Sequence, residues 1–315
     1  MSLKLLPLIS SFSLFLWVFL IPDPVNGQDI PEAPLIRAHV DVVNVLATVK
    51  NRRGHYVQDL NIYDFEIFED QIRQRLEFFN YETGQEGRSL TIVVLIDTSG
   101  SVKQELAFEQ KAAIEFLRST LREKKDLAAV VQFDSDVNLV QGFTFDLEQL
   151  ESRIHTMIPP GGATKLYDAI VIATEDMLRH EVGRKVIIVL SDGADTQSFY
   201  SSKDAIKSAQ DRDVIIFGIG VRDRAGSSDF GQLRKFAEAT GGTFFKSKAS
   251  LSRIREAFAK INQEIKNQVS LGYVSTNVER DGTFRSIRVK VKRRGVKVRH
   301  RKGYYAPGEG SPAEK

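Results

Sequence analysis

An aspartate and two serines, Asp97, Ser99 and Ser101, alternate along the run Asp97-Thr98-Ser99-Gly100-Ser101. The run follows an apolar stretch, Thr91-Ile-Val-Val-Leu-Ile96, and precedes a segment with helical spacing. Three side-chain oxygens therefore converge on one short strand-to-helix loop. Two more oxygens occupy comparable places. Asp192 lies in Ser191-Asp192-Gly193, just past the apolar run Val186–Leu190, and Thr164 ends Gly161-Gly-Ala-Thr164 before another helical stretch. Carboxylates and hydroxyls are hard ligands, suited to Mg²⁺ first and also to Mn²⁺ or Ca²⁺, rather than to zinc or copper. The set holds two carboxylates and three neutral hydroxyls, and if only one carboxylate touches the cation directly, the cation keeps much of its charge. It would keep water in its shell and attract a carboxylate from outside, whereas a calcium-storing loop saturates its ion with several acids.

The elements that must hold these residues alternate between two textures. Strands are expected at Thr91–Asp97, Leu127–Phe133, Asn138–Phe143, Val186–Leu190, Val214–Gly220 and Thr243–Lys246. Helices are expected at 102–122, 146–157, 166–180, 201–211, 229–239 and 250–267. Continuous apolar strands separated by helices imply a doubly wound, mainly parallel α/β sheet buried on both faces. The sheet has six strands, and the short spacing between residues 133 and 138 marks one antiparallel strand at an edge. In such a sheet, ligands bind beyond the carboxyl ends of the strands, where Asp97 and Asp192 fall. The last helix carries Leu251, Ile254, Phe258, Ile261 and Ile265, a seam barely two heptads long, so it is expected to dock on the sheet.

At these residues the chain resembles the von Willebrand factor A domain. The blocks LIDTSGSV, GGATKLYDAI and VIIVLSDGADT carry the likeness, which extends over about 88–266. The resemblance implies a Rossmann-like fold with a metal-ion-dependent adhesion site. There Ser99 and Ser101 would coordinate the metal, Asp97 and Asp192 would bind it directly or through water, and Thr164 would join according to conformational state. It also implies a protein ligand that completes the shell with a Glu or Asp. Asp168 is expected to back the site or cap its helix; Asp195 either supports the metal loop or forms an Asx turn.

Alternating patterns flank this domain. Residues 38–87 and 267–306 each read as β segments, and together they are expected to form a small all-β domain. Glu69-Asp70-Gln71, Asp281-Gly282 and Arg294-Gly295 are expected turns, the last two of hairpin type. With Asp64-Phe65, Glu69-Asp70 and Arg301-Lys302-Gly303-Tyr304-Tyr305, the whole chain is similar to a group of exported bacterial VWFA-related proteins. That group usually has Gly where this chain has Gln71, so a different turn is expected here. Residues 267–306 hold 11 Lys/Arg against 2 Asp/Glu. Lys290, Lys292, Lys297 and Arg299 alternate with valines, which predicts the solvated face of a hairpin and not a nucleic-acid site.

Lys4 and the 14-residue apolar run Leu8–Ile21, followed by Pro22-Asp23-Pro24, read as a signal peptide over 1–27. A span needs about 20 such residues; an uncleaved anchor from Leu3 is the alternative. Residues 28–37 are expected to be a flexible leader and 307–315 a disordered tail. No second apolar run of membrane length follows, so the mature protein is expected to be periplasmic or secreted.

The chain of 315 residues, 42% hydrophobic and 27% charged, is balanced as globular proteins are, which excludes general disorder and a polytopic membrane protein. Its lack of cysteine excludes disulfides, iron–sulfur clusters and thiol nucleophiles. The five histidines show no paired metal spacing. Catalysis finds no support. An aspartyl phosphatase needs a second acid where Ser99 stands, Gly161-Gly-Ala-Thr-Lys165 has P-loop letters in the wrong order, and Asp223 replaces the third glycine of a dinucleotide loop. The expected function is therefore an exported, divalent-metal-dependent protein-binding or adhesion module, not an enzyme. The rivals are a structural envelope protein whose metal only rigidifies loops, and a Mg²⁺-dependent hydrolase or phosphotransferase.

Overall fold

Alternation of burial makes the first strands. In β1 (Val42–Asn51), Val43, Val45, Ala47 and Val49 turn inward, while Val42 is exposed. β2 (Phe65–Glu69), β3 (Ile72–Gln74) and β4 (Leu76–Tyr81) follow. The computed structural model describes residues 42–83, 87–99, 106–157, 161–222, 230–248 and 250–308. The expected signal peptide and leader, residues 309–315 of the expected tail, and Ser101 lie outside the described residues.

The middle of the chain is built from β5 (Leu90–Asp97), α1 (Leu106–Thr120), β6 (Leu127–Phe133), β7 (Val137–Thr144), α2 (Leu147–His155), α3 (Leu166–Ile172) and β8 (Arg184–Ser191). It continues through α4 (Ser202–Asp211), β9 (Val214–Arg222), α5 (Gly231–Thr240), β10 (Phe244–Lys248) and α6 (Leu251–Lys266). The six strands form one sheet in the order β10-β9-β8-β5-β6-β7, parallel throughout except for β7, which pairs antiparallel with β6 at the edge. Every residue of β5 is buried because helices cover both faces. Ile92, Val94 and Ile96 meet α1, α2 and α6 on one face, where Phe116 stacks on Phe258 with ring centroids 4.7 Å apart. Val93 and Leu95 meet α3, α4 and α5 on the other. α6 docks on the sheet through Ile254, Phe258, Ile261 and Ile265.

The chain then returns through β11 (Gln268–Val274), β12 (Phe284–Val291), β13 (Val296–His300) and β14 (Gly303–Tyr305). β11, β12 and β13 pair with strands from the start of the chain, and β14 adds to β12. One sheet runs β13-β1-β11-β4, with Val45 opposite Leu271 and Val49 opposite Val298; the other runs β14-β12-β2-β3, with Val289 opposite Ile67. Both contribute to one apolar cluster of Val43, Val45, Phe65, Ile67, Leu271, Tyr273, Ile287 and Val289. All the described residues fall within a single compact unit, Val40–Lys315.

Two turns differ from expectation. Asp281-Gly282 and Arg294-Gly295 do not close hairpins, because β11 and β13 belong to one sheet and β12 to the other. The chain crosses between sheets at both points. Strand pairing is chosen here by partners about two hundred residues away, which no local turn signal reports. Lys290, Lys292 and Lys297 are exposed as alternation requires, whereas Arg299 is only partly given to solvent. It reaches the fully buried carboxylate of Glu264 in α6 at 2.9 Å. Gln71 occupies the left-handed region at φ 71°, beside Asp70 at φ 44°. The turn thus keeps a glycine conformation without the glycine.

Candidate metal centre

β5 and β8 are hydrogen-bonded neighbours, with Ile96 opposite Leu190, and they end at Asp97 and Ser191. The strand order reverses between them, since β6 continues on one side of β5 while β8 and β9 lie on the other. This switch point leaves a crevice beyond the carboxyl ends, where an open α/β sheet binds its ligands.

Asp97 is fully buried in that crevice. Its Oδ1 accepts the Ser99 N–H at 2.9 Å, and its Oδ2 accepts the Ser191 hydroxyl at 2.6 Å. Ser191 Oγ accepts the Gly193 N–H at 3.0 Å, and Asp192 Oδ1 accepts that of Ala194 at 3.0 Å. Burial pushes the Asp97 carboxyl up to about 6; the hydrogen bonds from Ser191 and Ser99 oppose this, and the charge of nearby Asp192 adds to it. No Lys or Arg among the described residues contributes to the Asp97 shift. A cation between the two acids would remove the penalty.

The loop of Thr164 is clasped to the loop of Asp192. Thr164 donates its N–H to Thr196 Oγ1 at 2.8 Å, and its carbonyl accepts the N–H groups of Thr196 and Gln197 at 2.9 and 3.2 Å. Asp195 accepts the Ser198 hydroxyl at 2.6 Å and the Tyr167 N–H at 3.1 Å, while Ser198 Oγ accepts the Asp168 N–H at 3.1 Å. Asp195 therefore ties the first turn of α3 to the Asp192 loop. Asp168 accepts the Tyr200 N–H at 3.0 Å and so anchors the far end of that loop; it does not cap its own helix. A Cβ on Gly162 would sit 2.5 Å from Ser135 Oγ, the atom that accepts the Ala163 N–H at 3.1 Å, so the Thr164 loop packs too closely for a side chain there.

Asp134 is a member of this network that sequence reasoning missed. It follows β6, is buried, and accepts the Thr98 hydroxyl at 2.8 Å, while its carbonyl accepts the Lys165 N–H at 2.9 Å. It joins the Asp97 loop to the Thr164 loop. The available signal was its position, an acid directly after a buried strand. Ser191, Thr196 and Ser198 were equally unmarked, being common polar residues whose partners lie on other loops. Asp97, Ser99 and Asp192 come together at one strand edge, and Thr164 is bound to the same loops. Among the described residues no three His, Asp or Glu side chains gather as a metal site; this set is two acids with hydroxyls.

The sequence profile of the von Willebrand factor type A domain matches residues 91–260, more than half of the chain. The chain belongs to the von Willebrand factor type A domain family. The matched stretch of the A domain contains all five candidate oxygen donors. None of the curated proteins matches the chain in sequence. Solved structures resemble it in fold. Proximal thread matrix protein 1 from the mussel byssus, with a zinc-occupied MIDAS motif, gives a TM-score of 0.51 at 17% identity, over 59% of this chain and 48% of that one. The conserved hypothetical protein BatB from Bacteroides thetaiotaomicron gives 0.47 at 20% identity, over 56% of this chain and 97% of that one. An aerotolerance-related membrane protein from Bacteroides fragilis gives 0.47 at 18% identity, over 56% and 98%. Among the described residues no helix is long and apolar enough to cross a membrane.

Proposed function

We propose that this A domain is a divalent-cation-dependent protein-binding module. Asp97, Ser99, Ser101, Thr164 and Asp192 would hold the cation, which supplies an electrophilic position for a Glu or Asp of the partner. The observation that carries the reading is Asp97, buried at the switch point, pushed up to about 6 and near Asp192, with no Lys or Arg among the described residues contributing to the shift. Ser99 and Ser191 hold its two oxygens in place, and the Thr196, Asp195 and Asp134 contacts hold the three loops. Mg²⁺ suits these oxygens best on grounds of hardness. The zinc in the mussel protein's motif keeps the wider class of divalent cations open.

The reading extends to the flanks. The two four-stranded sheets are proposed to be one discontinuous β-sandwich domain that carries the A domain between its strands. The residues shared with exported VWFA-related proteins serve it: Glu69 accepts the hydroxyls of Tyr273 and Tyr304 at 2.7 and 2.9 Å, between the two sheets. The apolar run Leu8–Ile21 supports an exported location.

The test is a pull-down from the envelope of the source cell with the full chain, in Mg²⁺ and in excess EDTA, alongside Asp97→Ala. A partner retained only with the cation, lost with Asp97→Ala, and lost again when one of its own acids is changed fits the reading. A partner held equally in EDTA would remove the metal centre from the contact surface.

A further inference from the structure

A second site lies at the opposite end of the sheet from Asp97. A cleft of about 600 Å³ opens where β1 and β13 meet the carboxyl end of α5. Lys50, Arg52, Lys297, Arg299 and Lys302 line it, with Glu238 on its wall. Behind it lies Glu264, fully buried, which Arg299 Nη1 contacts at 2.9 and 3.1 Å and Lys50 Nζ at 3.5 Å. One carboxylate thus holds two cations in place and neutralises only one of them. Lys302 is 3.9 Å from Glu238, an exposed pair of little energetic weight. Arg52 and Lys297 are exposed and form no ion pair among the described residues. His300 adds no charge, because its Nε2 accepts the Val289 N–H at 3.1 Å and burial holds its pKa below the usual range.

Five cations facing one cleft, with two carboxylates to oppose them, repel one another, and a bound anion would relieve that repulsion. The arrangement is also fixed in advance. Glu264 and the Thr243 hydroxyl engage only Nη1 of Arg299, leaving its other guanidinium donors for a ligand. Planar guanidinium forks match the oxygens of phosphate, and lysines add point charge. The concave form suits a small soluble anion better than a flat bilayer. We propose that this cleft binds a multiply charged phosphate group, such as an oligophosphate or a phosphate ester. The site is independent of the metal centre.

The probe is tripolyphosphate, titrated calorimetrically into the full chain in excess EDTA at low and raised salt. Saturable binding is expected, weakened by salt and by roughly tenfold or more in the double variant Arg52→Glu/Lys297→Glu. Both positions are exposed, and an unchanged circular dichroism melt verifies the fold; Lys297→Ala is a milder second variant. Asp97→Ala should bind like the parent, so failure of the metal centre leaves this result intact. Flotation with phosphatidylcholine vesicles, with and without phosphatidate, distinguishes the source. Binding confined to phosphatidate vesicles and lost in the double variant would place the phosphate on a lipid headgroup. No saturable binding of either probe, or equal binding by the double variant, overturns the proposal.

Discussion

Asp97 combines two demands that conflict until a cation arrives. Its carboxylate is buried beside another acid, so in the metal-free protein the folded state holds a proton more tightly than the unfolded chain does. The ordinary value of 3.8 is raised to about 6. The sign follows from linkage: metal-free stability falls as pH rises from 3.8 to about 6, and the loss is complete above that. The size is on the order of 3 kcal/mol. Asp97→Asn should therefore raise the melting temperature of the metal-free protein at neutral pH while abolishing its stabilisation by Mg²⁺. A variant that melts lower than the parent in EDTA, or that still gains from Mg²⁺, would contradict this account. In the parent, protons compete with the cation, so Mg²⁺ affinity measured by calorimetry should be flat well above pH 6 and weaken by about tenfold per pH unit below it.

At the scale of elements, the turn between β2 and β3 carries the clearest local conflict. Gln71 sits in the left-handed region, which costs a residue with a Cβ about 1–2 kcal/mol. The turn survives because β12 grips it: Asp70 accepts the N–H and hydroxyl of Ser286 at 2.8 and 2.9 Å. Gln71→Gly should raise stability in chemical denaturation by about 0.5–1 kcal/mol, the strain relieved being partly offset by the added freedom of the unfolded chain. No gain would mean that the strain is already relaxed. Beside this turn, Glu69 is buried and binds Tyr273 and Tyr304 from β11 and β14. Burial and the neighbouring Glu69 push the Tyr304 hydroxyl up to about 12, so it stays a donor at every physiological pH. Tyr304→Phe removes one donor and keeps the ring, and should cost about 1–2 kcal/mol in urea unfolding. A neutral result would show that the buried acid is satisfied without it.

For the whole molecule, the pairing of β1 with β11 and of β2 with β12 joins residues at opposite ends of the described chain. The first four strands alone would leave β1 and β4 without the β11 that lies between them, and β2 without β12. A fragment of residues 28–86 should give a poorly dispersed NMR spectrum, whereas residues 88–266, with both apolar faces of their sheet covered, should fold and bind Mg²⁺. A well-dispersed spectrum from the first fragment would sink the discontinuous domain. Charge links the two parts at the base of the sheet. Arg301 pairs with Asp213 and donates to the Asn44 carbonyl at 2.9 Å, and Gly241 leaves no room for a Cβ, which would meet Arg301 N at 2.7 Å.

The α/β sheet was legible because each of its strands and helices announces itself over a dozen adjacent residues, through apolar runs and helical spacing. Asp97, Ser99 and Asp192 were legible for a related reason: each sits within a few residues of the end of a buried strand, and such ends converge by topology. Hydrogen bonds between loops leave no such trace. Asp134 and Ser191 look like ordinary polar residues until Thr98 and Asp97 are brought beside them. The same holds for Arg299, which follows a solvated alternation in sequence yet turns to a buried acid in α6. Periodicity along a chain records which face of an element meets apolar surroundings. It cannot record which distant polar group waits there, because that depends on how elements dock, and docking is the sum of many weak contacts made only in the folded protein.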